Sequence, residues 1–85
     1  MLTSNRATTP KRIADYNRAI QLQPDLAVAY YNKARAYSLQ RDIKAASENL
    51  KQAIVLDAGF RNMAKIDADF DNIRQDKQFQ ALVGQ

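Results

Sequence analysis

The sequence predicts an all-α chain of about five helices, stacked as a short helix–turn–helix solenoid, and three observations carry that prediction. Apolar residues recur at steps of three and four: Ile13, Tyr16 and Ile20; Tyr30, Ala34 and Tyr37; Ile43, Ala46, Leu50, Ala53 and Ile54. Each set falls on one face of a helix turning about 100° per residue. Glycine and proline occur only twice each in 85 residues, and no window alternates as a strand would. Finally, sliding the chain by 34 residues lays YNRAIQLQPDL on LKQAIVLDAGF, with Ala19 on Ala53, Ile20 on Ile54 and Leu22 on Leu56. A period of 34 in a helical chain is the length of one helix–turn–helix repeat.

The punctuation places helices at roughly 11–22, 26–40, 42–57, 59–67 and 76–83, with boundaries good to about two to four residues. Pro24 ends the first, because it has no N–H to donate, and Asp25 is placed to cap the second. Asp42 precedes IKAASENLKQAIVL as an N-cap, with Gln40 and Arg41 as the turn. Gly59 follows the last apolar residues of the third helix, where a left-handed residue commonly closes a helix. Asp76 is placed to cap the last helix, whose Phe79, Leu82 and Val83 share one face. Residues 1–10 read as a flexible basic tail and 11–85 as one helical domain.

Composition narrows the chemistry. There is no cysteine and no histidine, which removes disulfides, thiolates, the usual general base and the commonest metal ligand. The expectation is a non-enzymatic protein without a cofactor. The formal charge of +4 gathers at the N-terminus: Arg6, Lys11 and Arg12 precede the first acid, Asp15, and from residue 13 onward ten basic residues face nine acidic ones. The excess belongs to the tail rather than to a groove. The first twelve residues lack the apolar stretch of a secretory signal, and the longest apolar run, AVAYY, is far short of a membrane span. A cytoplasmic protein with no membrane contact is expected.

AVAYYNKARAYSLQRDIKAASENLKQAIVLDAGF, residues 27–60, resembles one full tetratricopeptide repeat without gaps. Tyr30 and Tyr37 stand at the two aromatic positions, Ala34 and Ala46 at the small residues of the two helices, Leu50 at the large apolar one and Ala53 at the family's alanine. Residues 11–24 resemble the second helix of a leading half repeat. The resemblance implies a right-handed solenoid in which small side chains let the two helices of a hairpin approach closely. Three residues depart from the pattern: Lys33 replaces a leucine, Arg41 a turn glycine and Ala58 a proline. If Arg41 takes a positive φ, the cost is on the order of 1 kcal/mol.

KIDADFDNIRQDKQF, residues 65–79, carries four carboxylates. A calcium loop starting at Asp67 would need glycine at 72 and glutamate at 78, where the chain has Asn72 and Gln78. Residues 61–85 instead resemble the closing segment of bacterial tetratricopeptide arrays, an Asp-rich turn with an embedded phenylalanine. Phe70 and Ile73 are expected to plug the end of the core, with Asp67, Asp69 and Asp71 accepting turn hydrogen bonds.

The resemblance also implies an inner face lined by the first helix of each hairpin, here with Val28, Tyr31, Asn32, Arg35, Ser38 and Leu39. Tyr31, Asn32 and Arg35 form an aromatic–amide–guanidinium set within one turn, extended by Asn62 and Lys65. Such a set suits an extended peptide, the amide bonding its backbone and the guanidinium a carboxylate. The favoured expectation is therefore an interaction or scaffold module for a protein or peptide partner. A solenoid this short leaves the first helix without a covering neighbour, so Ile13, Ile20 and Leu22 are expected to offer a self-association patch, in a homodimer or as the tail of a longer array. A nucleic-acid accessory role for the basic tail is the remaining alternative.

Overall fold

The computed structural model describes residues 4–84, with side chains from Arg12 onward. Five α-helices and one 3-10 turn follow one another: α1 Ser4–Leu22, α2 Ala27–Leu39, α3 Ile43–Leu56, α4 Gly59–Ile66, the turn Ala68–Ile73 and α5 Lys77–Val83. The fold is an all-α helical solenoid.

The hairpin α2–α3 is its centre. Ala34, Ala46 and Ala53 are fully buried in one cluster with Leu50 and Tyr31. With only a methyl group at these positions the two helices can close on each other, and larger residues on either side fill the remaining volume. Between them the chain reverses through a Schellman motif: the Arg41 N–H donates to the Ser38 carbonyl (2.9 Å) and that of Asp42 to the Tyr37 carbonyl (3.0 Å). Arg41 sits at φ 63°, as its position in place of a glycine predicts. Asp42 then caps α3 through the Ala45 N–H at 3.2 Å.

Three local expectations are corrected. α1 begins at Ser4, ahead of the expected 11, so residues 4–10 continue the helix rather than form a tail. Asp25 does not cap α2; the capping position is Leu26, which makes no side-chain hydrogen bond. Gly59 is not the left-handed terminator of α3. It opens α4, its N–H donating to Asp57 Oδ1 at 3.0 Å, while α3 ends because Asp57 is extended. The left-handed glycine is Gly84, after α5.

The C-terminal segment closes the core as its apolar residues predict. Phe70, Ile73, Phe79 and Val83 are buried, Leu82 packs beside them, and Asp76 caps α5 through the N–H groups of Gln78 and Phe79. At the other end, α1 lies along α2. Ala29 and Ala36 are buried on the side of α2 opposite Ala34, which leaves α1 as the element that covers them. Ile13 is buried in the same layer.

Candidate functional site

The expected inner-face set is assembled on α2, but most of it is turned to a different purpose. Residues 31, 35 and 38 are one helical face by spacing, and each bonds to the acidic turn. The Tyr31 hydroxyl donates to Asp67 Oδ2 at 2.7 Å. Arg35 Nε and Nη2 both approach Asp69 Oδ2 at 2.8 Å, with Asp67 at 3.4 Å. Ser38 Oγ donates to the Asp69 carbonyl at 2.6 Å, and Asn72 Nδ2 returns a bond to the Ser38 carbonyl at 3.3 Å. Asp67 Oδ1 also accepts from the Asp69 N–H, starting the 3-10 turn. The carboxylates are thus spent on stitching the closing segment to the repeat, and no group of three potential metal ligands occurs among the described residues.

Tyr31 is the main correction. Expected on the inner face, it is 1% exposed, its ring stacked on Phe60 at 4.6 Å and meeting Phe70 edge-on at 5.6 Å. Burial first, then the hydrogen bond to Asp67 and the charge of that carboxylate, push its hydroxyl well above the usual tyrosine range. For Arg35 burial opposes the charge, but the hydrogen bond to Asp69 and the fields of Asp69 and Asp67 outweigh it and hold the guanidinium more firmly protonated. Burial also lowers the ammonium of Lys33, the residue standing where the family has leucine.

What remains accessible is narrower than expected. The Arg35 side chain is still 41% exposed, with Nη1 oriented by Asn32 Oδ1 at 3.3 Å. Arg12 and Tyr16 of α1 join Asn32, Arg35, Leu39 and Asp69 around a crevice of about 50 Å³, room for roughly one or two waters. Along the strip, Val28 is exposed one turn before Asn32, and Ile66, 85% exposed, directly precedes Asp67. Asn62 is exposed on α4. Lys65 points elsewhere: it lines a cleft of roughly 430 Å³ with Arg74, Gln75, Phe79, Gln80 and Val83.

Arg74 was not legible as a functional or structural residue. Its guanidinium donates to the carbonyls of Lys65 and Asp67, both at 2.7 Å, closing the end of α4, and lies 5.7 Å from the Phe79 ring centre. Those partners are backbone carbonyls, which carry no residue identity for a sequence to show. Of the residues expected to offer a self-association patch, Ile13 is buried, which corrects its place there, while Ile20 is half-buried and Leu22 is 78% exposed. Arg6 and Lys11, from which the basic tail drew its charge, have side chains outside the described residues. No helix among the described residues is long and apolar enough to cross a membrane.

Residues 27–59 match the family model of the tetratricopeptide repeat. Over 44 residues the chain is 46% identical to tetratricopeptide repeat protein 36 of Mus musculus and 48% identical to that of Xenopus tropicalis. Each match takes in 52% of this chain but only 24% and 22% of the relative, so the chain spans about a quarter of the proteins it resembles. No solved structure matches the chain at a significant level.

Proposed function

We propose that this chain, whose residues 27–59 are a tetratricopeptide repeat, is a non-enzymatic docking module that holds a protein or peptide partner along the exposed strip of α2 and α4. The strip consists of Val28, Asn32, Arg35 and Leu39, continued by Asn62 and Ile66. The observation that carries this reading is a half-exposed arginine, pre-oriented by Asn32, with an almost fully exposed isoleucine directly ahead of Asp67, whose carboxylate lies 3.4 Å from that arginine. An apolar anchor beside a fixed donor is what a peptide side chain and its backbone require. Tyr31 supports that face from beneath rather than touching the partner.

The test follows from which side chains are free. Arg35→Glu would crowd three carboxylates together and confuse binding with folding. Ile66→Asp changes a residue with little to lose in the folded state. Proteins retained by the intact chain are expected to be lost from Ile66→Asp and weakened by Asn32→Ala, with helical content unchanged, and kept by Arg18→Ala on the far side of α1. Identical partners for all four proteins would remove the strip from consideration.

A further inference from the structure

A second surface lies on the outer side of the hairpin, between α3 and α5. A groove of roughly 330 Å³ is lined by Ser47, Glu48, Lys51, Gln78, Ala81 and Leu82. Ser47 is 2% exposed, yet its Oγ has no hydrogen-bond partner. A helical serine usually satisfies its hydroxyl on the carbonyl four residues back; here that bond is absent, and a buried hydroxyl without a partner is costly to leave so. Glu48 and Lys51 are both exposed, and neither is within ion-pair distance of an opposite charge among the described residues. At the end of the same stripe, Val55 is 70% exposed.

We infer that this groove is closed by the α3 helix of a second copy of the chain, packed antiparallel about a two-fold axis passing between Asn49 and Leu50. The charge pattern singles out that occupant. About that point Glu48 and Lys51 are equidistant, so a two-fold copy sets each glutamate opposite its partner's lysine, twice over. The same axis lays the aliphatic stem of Lys44 along the exposed Val55 of the second copy. Both pairs lie on one stripe of α3 and share one midpoint, so a second copy matches them by symmetry. The footprint is small: 14 residues of α3 give a face roughly 20 Å long and about 10 Å wide, well under a standard interface of about 800 Å² per partner. The dimer is therefore weak and concentration-dependent, and it leaves the inner-face strip free.

Sedimentation of the intact chain from about ten micromolar to about one millimolar, at low salt, tests this. The mass is expected to rise toward that of a dimer. Glu48→Lys alone and Lys51→Glu alone should each weaken association by about tenfold, because each sets like charges face to face twice. The double variant Glu48→Lys/Lys51→Glu should restore it to within about threefold. Both positions are exposed, and circular dichroism will show the fold retained. A monomer throughout the range, failure of the double variant to restore association, or a dimer broken by Leu22→Asp and indifferent to Glu48→Lys would each overturn the proposal.

Discussion

Helices α2 and α3 have nearly the same length and face each other, yet they bury their residues in different ways. α3 buries Ala46, Ser47, Leu50, Ala53 and Ile54, a single stripe stepping by three and four. α2 buries Ala29, Tyr31, Ala34, Ala36 and Ser38, which point in nearly every direction around the axis. The cause is the number of neighbours: α3 packs mainly on α2, while α2 also carries α1 on one flank and the acidic turn on another. A helix with one covered face shows its role in its periodicity; one covered on three sides does not. The proposed docking strip lies on α2, so the surface available to a partner is what three neighbours leave over.

The comparison breaks most completely at the shared crossing. Ala46→Phe is expected to cost about 3 kcal/mol, because a ring has nowhere to relax between two helices that touch through methyl groups. That is a large share of what a chain of this size holds, so the denaturation midpoint should fall sharply. An unchanged midpoint would mean that the alanines do not set the helix separation.

That crossing was legible in the sequence, and so was most of the architecture. Ala34, Ala46, Leu50 and Ala53 stand at spacings that only a helical hairpin explains, and the caps Asp42 and Asp76 sit before clear apolar runs. The candidate site was legible only in part. Asn32 and Arg35 come together as expected, but Tyr31 reads as a surface residue until the turn 67–72 is known to fold back onto α2. The closing segment plugs the core through Phe70 and Ile73 as expected, and both are buried. No local signal, however, pairs Asp67 with Tyr31 or Asp69 with Arg35 and Ser38, contacts made across 31 to 36 residues. Ile13 failed for a related reason: α1 packs on α2, and one packed neighbour suffices to bury an isoleucine.

Tyr31 sharpens the contrast on the α2 side. Tyr31→Phe keeps the ring between Phe60 and Phe70 and removes only the hydrogen bond to Asp67, at an expected cost of about 1–2 kcal/mol, reduced from the usual value for a charged acceptor because Asp67 retains Arg35 and the Asp69 N–H. The same residue gives the fold an alkaline limit. Its folded-state pKa is raised, so the folded protein keeps the proton that the unfolded chain releases near pH 10. The stabilisation is complete below about pH 10 and declines above it, since the unfolded state then binds fewer protons. Urea midpoints measured from about pH 9 to about pH 11 should fall in the intact protein and fall less in Tyr31→Phe. Parallel curves would show that Tyr31 ionises without unfolding.

The turn between the two helices gives a gain instead of a loss. Arg41 is the one non-glycine residue at positive φ among those described, and its backbone is held there by the two hydrogen bonds of the Schellman motif. Arg41→Gly removes the clash that a Cβ makes in this conformation, worth on the order of 1 kcal/mol, partly offset by the greater freedom of glycine in the unfolded chain. Its side chain is exposed and makes no ion pair among the described residues. A rise in melting temperature of a few degrees is expected, and a fall would mean that the arginine head contributes something the turn geometry does not reveal.

The smallest expected effect separates the two helix starts. Asp42 accepts the Ala45 N–H at the beginning of α3, whereas Asp25, the same residue type one position before the Leu26 that occupies the capping position of α2, accepts none. Asp42→Ala should cost about 1 kcal/mol, the usual value of an N-cap. Asp25→Ala should change stability by less than about 0.5 kcal/mol, as a surface substitution away from any special contact does. The difference follows from where each chain enters its helix: the tight turn at Arg41 delivers Asp42 directly to the first free N–H groups, while the path through Pro24 brings Leu26, half-buried, to that position and leaves Asp25 outside it. If the two substitutions cost the same, charge at the helix start rather than the hydrogen bond is what α3 gains from Asp42, and raising the salt concentration should then erase both effects together.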